Sequence, residues 1–239
     1  MTTADAHPKA GMVGSRVVSF FDPDVIDSVG IRICKDGMSR GANRNGQFSR
    51  LNLHGTLDIL FPSACSALYK RAMLDEIGFF DSDFFAYCED TDLGLRGRLA
   101  GWQAVLNTDA VTYHKYSKTG GELSAFKIYH VERNHYWAAI KSFPPLDLFL
   151  LPLNTALRYF EQFKALKSQK GDAVTFAQSG DKSELIFALL RGIASALMHT
   201  PEHLLKRRAT QQKRKIPHRE MRVLLKKYNL PYRELFDIK

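Results

Sequence analysis

The chain has 239 residues, 45% hydrophobic and 25% charged, which is enough for one substantial core or for a domain with an appendage. Its 16 glycines and 9 prolines exclude a collagen-like or Pro/Gly-dominated disordered chain; its 3 cysteines, Cys34, Cys65 and Cys88, form no Cys-x-x-Cys pair, exclude a disulfide scaffold and are expected to be reduced thiols. The net charge is +9, of which residues 201–239 carry +8, whereas Ala72–Leu95 holds seven acids and no Lys or Arg, so two regions of opposite sign suggest two jobs.

Residues 1–10 read as a polar, loose leader without the apolar run of a secretory signal. Met12–Phe20 reads as a short strand and Phe21-Asp22-Pro23-Asp24 as a turn. Ile31–Cys34 is a second brief strand, and the Gly- and Asn-rich stretch Asp36–Ser49 a loop. Leu57–Leu60 and Ala64–Tyr69 are expected as strands split by a bend at Pro62. Arg71–Ile77 gives a short helix closed by Gly78. Glu89–Ala100 is expected to be helical, although Gly94 and Gly97 weaken the pattern. Ala104–Leu106 and Ala110–His114 read as two short strands, Tyr116–Gly121 as a loop, and Glu122–Lys141 as a helix ended by Phe143-Pro144-Pro145. A boundary is expected near residue 142, after which the chain turns helical and basic.

The most informative stretch runs from Gly78 to Leu93. Aromatic residues alternate with carboxylates, and the loop leads into a helix beginning near Glu89. Carboxylates in a first helical turn are favoured by the dipole and the free amides, so Glu89, Asp90 and Asp92 have a purely structural explanation. They also have a chemical one. Adjacent residues point in different directions, so one of Glu89 and Asp90 can be fixed by the scaffold while the other faces a cleft and takes a proton from a sugar hydroxyl. Phe84, Phe85 and Tyr87 would limit water there and raise its basicity, and a sugar ring could stack on an aromatic face.

The ordered set Ala64–Arg71, Ile77–Asp81 and Phe84–Arg96, continued by Gly101-Trp102, Val111–His114 and Arg133-Asn134, resembles the second half of the family 2 glycosyltransferases, nearest the rhamnosyltransferase-like branch that builds bacterial surface polysaccharides. The resemblance spans roughly residues 10–140. It implies an α/β chain with an incomplete GT-A (nucleotide-diphospho-sugar transferase) fold over residues 11–142, followed by a helical basic extension over 143–239. It implies inverting transfer from a nucleotide-sugar donor to a polysaccharide or lipid-linked acceptor, usually with Mg2+ or Mn2+. In this register Asp90 would be the general base, Glu89 would orient the loop or hold an acceptor hydroxyl, and Asp81, Phe85 and Tyr87 would meet the acceptor. Asp92 would start the helix or pair with Arg96. His114 matches a histidine that contacts metal or diphosphate in several relatives; without the resemblance it is an unremarkable histidine at a strand end. Lys115 and Arg133 would approach the diphosphate, with Lys118, Gly120 and Gly121 near them, or Arg133 would hold the acceptor loop by a bidentate bond to Asp or Glu; a solvated basic turn for the lysines and an inward-facing structural ion pair for Arg133 are the competing readings.

The nucleotide-binding half and its Asp-x-Asp metal motif have no counterpart in the matching register. The pairs Asp22/Asp24, Asp81/Asp83 and Asp90/Asp92 do not follow the expected strand and helix units. A truncated or split enzyme is therefore the expectation, completed by a separate nucleotide-binding subunit or a homo-oligomer. A non-catalytic acceptor-binding or assembly subunit, or an inactive fragment, is the alternative. In the extension, Leu146–Phe163 and Leu185–Met198 are apolar, too short for a simple transmembrane span. They are expected either to pack on the first part or to lie on an anionic membrane surface with the basic tail Lys206-Arg207-Arg208 and Lys213-Arg214-Lys215. The resulting expectation is a cytoplasmic protein, peripheral on the inner face of the plasma membrane. No motif of a nucleic-acid reader accompanies the tail, and no nucleic acid is expected as a partner.

Overall fold

A computed structural model describes residues 2–115, 124–168 and 182–236. Its centre is a mixed sheet. Strand β1 (Ala10–Ser19) and β7 (Gln103–His114) run parallel side by side, and β5 (Thr56–Asp58) lies antiparallel beyond β7. The other edge of β1 is shared by β6 (Ala67–Tyr69) along its first half and β2 (Ile26–Ser28) along its second, both antiparallel. A hairpin of β3 (Ile31–Ile33) and β4 (Ser39–Gly41) stands apart, inside the stretch expected to be a loop at its β4 end. This partly open α/β sheet is consistent with a GT-A-type arrangement.

The expected pair of strands at 104–106 and 110–114 is one strand. Between Ser15, opposite Asn107, and Arg16, opposite Val111, the register jumps, so Thr108–Ala110 form a bulge rather than a turn. The polar Asn107-Thr108-Asp109 that reads as a break is accommodated by Thr108 bonding the Gly55 carbonyl. The expected strand Ala64–Tyr69 is strand only from Ala67; Ala64–Ser66 is a 3-10 turn.

Helices α1 (Thr3–Ala6) and α2 (Arg71–Ile77) flank the strands, and α3 (Glu89–Leu99) packs against the sheet. The glycines in α3 are contact points. A Cβ at Gly94 would sit 2.3 Å from the Phe61 ring, and one at Gly97 would meet Met12 and Met73. They cost helix propensity and permit a close approach. Leu93, Leu95 and Leu99 join Met12, Phe61 and Leu106 in the core.

Beyond α4 (Ala125–Ser142) follow α5 (Pro145–Phe149), α6 (Leu151–Ser168), α7 (Lys182–Met198), α8 (Thr200–Gln212), α9 (His218–Lys227) and α10 (Tyr232–Leu235). This extension shares the core of the first part: Leu151, Ile216 and Met221 lie in the same cluster as Met12 and Phe61. Backbone bonds between Ile33 and both Tyr228 and Leu230 tie the C-terminal segment to β3. The basic tail is largely engaged internally. Lys206 bonds Asp81 and Asp83, Lys215 pairs with Glu76, Arg222 with Asp147 and Lys227 with Asp58, while Arg207 and Arg214 donate to the Ile140 and Ile216 carbonyls. Among the described residues no helix is long and apolar enough to cross a membrane.

Candidate functional site

The loop before α3 is held in a demanding backbone conformation. Phe85, Tyr87 and Cys88 have φ of 57°, 66° and 62°, a region that side-chain-bearing residues enter at a cost of about 1–3 kcal/mol each. The clamp that imposes it comes from α4. Asn134 Nδ2 donates to the carbonyls of Phe84, Ala86 and Tyr87 at 2.8, 2.8 and 2.7 Å. Arg133 donates to the Asp83 and Phe84 carbonyls at 3.1 and 3.3 Å and stacks 4.2 Å above the Trp137 ring. Arg133 thus holds the acidic loop through main-chain oxygens and not through a carboxylate. These bonds direct its guanidinium into the loop.

The acids of the loop separate into two kinds. Asp92 is fully buried, with Arg96 Nε at 2.8 Å and Lys141 Nζ at 2.6 Å. Arg96 also donates to the carbonyls of Ile77 and Phe79, closing the start of the loop on α3. Asp81 takes Lys141 at 2.8 Å and Lys206 at 2.7 Å. Burial alone would raise its pKa, but these two ammonium groups outweigh burial and hold the carboxyl well below the usual range. The acceptor hydrogen bond expected of Asp81 would therefore compete with two lysines; the side chain is placed as a joint between the loop, α4 and α8.

Glu89 and Asp90 have no ion pair among the described residues. Asp90 is half-buried at the first turn of α3. Its Oδ2 accepts from the Ala64 amide at 3.2 Å and its Oδ1 from the Thr91 amide at 2.7 Å. Burial raises its pKa and these amides only partly offset that. Glu89 is raised too, first by burial and then by the charge of Asp90, and its Oε2 is buried with no hydrogen-bond partner among the described residues. Among the described residues the Tyr69 hydroxyl is buried without a partner as well, and burial followed by the charges of Asp90 and Glu89 pushes its pKa well up. Tyr69 is the residue that sequence reasoning passed over. A carboxylate oxygen and a phenol left unsatisfied in one neighbourhood mark a place where a polar ligand gains hydrogen bonds that the protein itself does not make.

Beside these groups lies an aromatic platform. Phe85 is 77% exposed and packs on His130 and Phe126; Tyr87 also meets the Phe126 ring. Two unpaired acids, an orphan phenol and exposed rings together can accept a hydroxyl proton and hold a sugar face.

His114 stands at the end of β7, where Asp27 of β2 meets its Nδ1 at 2.5 Å across β1. The Cys65 thiol accepts from the Ser63 hydroxyl at 3.4 Å. Its pKa is raised by burial first, with smaller contributions from Asp27 and Asp90. Three hydroxyls, Ser15, Ser66 and Thr112, lie 2.8 Å from one another beneath the same strand ends. Lys115 lies over the Phe20 ring at 4.0 Å. Lys118, Gly120 and Gly121 fall outside the described residues. Among the described residues no group of three His, Cys, Asp or Glu side chains could hold a metal ion; His114 with Asp27 is one group short. Two surface depressions, of about 360 and 280 Å3, lie elsewhere, the first lined by Asp58, Arg98 and Gln103 and the second by Gly30, Asn43 and Tyr228.

Over 78 residues the chain is 33% identical to the N-acetylglucosaminyl-diphospho-decaprenol L-rhamnosyltransferase of Mycobacterium tuberculosis, with the same figures for strains CDC 1551 / Oshkosh and ATCC 25618 / H37Rv. The match covers 32% of this chain and 25% of each relative, so it spans about a quarter of the length of the curated relatives. No protein-family model matches. The similarity is distant and lies at the level of a superfamily of sugar-transferring enzymes.

Proposed function

We propose that this chain carries the acceptor side of an inverting glycosyltransferase, with Asp90 as general base. The observation that carries the reading is the half-buried Asp90 carboxylate. It is oriented by two backbone amides, has no counter-cation among the described residues, and has a pKa shifted upward. A base that is poorly solvated and not neutralised by a cation takes a proton more readily than an ion-paired one. Asp90 would remove the proton of an acceptor hydroxyl as that oxygen attacks the anomeric carbon, and the nucleoside diphosphate would leave from the opposite face. Glu89 and Tyr69 would bind neighbouring acceptor hydroxyls, and Phe85 and Tyr87 would stack on the sugar ring. Lys115 and His114 would lie toward the donor, where a divalent metal and a nucleotide-binding half, on a separate subunit or another part of a longer polypeptide, would complete the enzyme. A lipid-diphosphate-linked sugar, as in the name of the relatives, is the acceptor class to try first, and it would place the enzyme at the inner face of the plasma membrane.

The test is transfer of labelled rhamnose from its nucleotide donor to a polyprenyl-diphospho-N-acetylglucosamine, with the chain reconstituted with a nucleotide-binding partner. Asp90→Asn, which can keep only one of the two amide bonds, should lower kcat at least about 10²-fold, the usual scale of general-base loss, with donor binding retained. Wild-type turnover by Asp90→Asn would remove Asp90 from the base role.

A further inference from the structure

Helix α6 is built inside out. Its buried side is Leu151, Arg158 and Ala165, seven residues apart and therefore on one stripe. At its middle the Arg158 guanidinium is clamped between Asp36 at 2.5 Å and Glu132 at 2.6 Å, and the Tyr159 hydroxyl joins the same Glu132 oxygen. The opposite side, turned to solvent, carries Leu153, Leu157, Phe160 and Phe163, with Phe149 of α5 leading into it; Phe149 is 80% exposed and Phe160 55%. A surface helix ordinarily places its large apolar residues inward and its arginine outward. Here the buried ion pairs fix the rotation of the helix, so the apolar stripe is held as a surface.

Two lysines border that stripe, one of which, Lys164, also pairs with Glu161 at 3.0 Å. Lys164 Nζ lies 4.2 Å from the Phe160 ring and Lys167 Nζ 4.8 Å from the Phe163 ring. Helix α7 repeats the pattern: Ile186, Phe187 and Leu190 are exposed, and the Arg191 guanidinium lies 5.8 Å from the Phe187 ring. Long basic side chains beside exposed aromatic and aliphatic groups are suited to an interface whose interior is apolar and whose border is anionic. A second copy of the chain would bring its own net charge of +9 to the contact.

We propose that the outward faces of α5 and α6 form the docking surface for an anionic lipid bilayer. The apolar side chains enter the headgroup boundary and Lys164 and Lys167 meet lipid phosphates. The proposal stands independently of the sugar-transfer reading, because it rests on other residues and needs no catalysis.

Co-sedimentation of the full chain with phosphatidylcholine vesicles, with and without phosphatidylglycerol and in the presence of nuclease, tests it. The wild type should sediment with the anionic vesicles. Leu153→Ser with Phe160→Ser should weaken that partition about tenfold or more, since the apolar burial is the main attachment. Lys164→Glu with Lys167→Glu should remove the preference for phosphatidylglycerol. Failure of the wild type to bind, or binding unchanged in the serine pair, overturns the proposal. So does a concentration-dependent dimer, seen by sedimentation equilibrium, that the serine pair abolishes while vesicle binding persists. Phe160→Trp gives a readout in a chain that retains an aromatic residue there: brominated acyl chains should quench its fluorescence, and unquenched emission in the presence of saturating anionic vesicles contradicts insertion.

Discussion

The two halves of the acidic loop make an instructive pair. Asp81 and Asp92 are neutralised by Lys141, Lys206 and Arg96, whereas Glu89 and Asp90, a few residues away, face no cation among the described residues. Composition treats all four alike. Geometry gives the first two to the scaffold, where they lock the loop to α3, α4 and α8, and leaves the second two with raised pKa values and an orphan oxygen. A group that stabilises a fold is satisfied within it; a group kept for chemistry carries an unsatisfied demand.

The largest effect that would break this contrast is at Asp92. Asp92→Ala leaves Arg96 and Lys141 buried without their carboxylate, and should cost about 3–5 kcal/mol in chemical denaturation. Asn134→Ala comes next. It releases three carbonyls of the strained loop and should cost about 2–3 kcal/mol, with a loss of any transfer activity larger than the stability change alone explains. Gly94→Ala drives a methyl into the Phe61 ring and should cost about 1–3 kcal/mol by overpacking, while leaving the acids in place. Smallest, and opposite in sign, is Glu89→Gln at neutral pH. It removes a charge that the fold disfavours, so the unfolding midpoint should stay at or above that of the wild type.

The pH dependence separates the same two sets. The Asp81 pKa is depressed in the folded chain, so its contribution is present above the ordinary carboxylate range and is lost as pH falls through the folded value. The Glu89 and Asp90 pKa values are raised, so their contribution is full below the ordinary range and is lost as pH rises through the folded values. Lys206→Met, which strips one partner from Asp81, should flatten the acid limb of the stability profile, and Asp90→Asn should flatten the limb on the other side.

Much of this could be read from the chain and some could not. Strand β1, helix α2, the start of α3 at Glu89 and most of α4 follow from alternation, capping glycines and helical spacing. The acidic loop and the Asp92–Arg96 pair were legible because they are local. Strand β7 read as two pieces because Asn107-Thr108-Asp109 carries turn chemistry that a bulge satisfies equally well. The engagement of the basic tail was not legible, since Lys206, Lys215 and Lys227 find acids more than a hundred residues away. The reversed faces of α6 escaped for the same reason: nothing local says that Arg158 meets Asp36 and Glu132. Tyr69 and Asp27 are ordinary in sequence and acquire meaning only from the neighbours that the sheet brings to them.

Carbon-13 NMR titration of the side-chain carboxyls of Asp81 and Asp90 in the folded protein tests the central distinction most directly. Asp90 should titrate above the ordinary aspartate range and Asp81 below it. An Asp90 midpoint at or below that of Asp81 would mean that a cation already satisfies it, and the separation of scaffold acids from a poised base would fail.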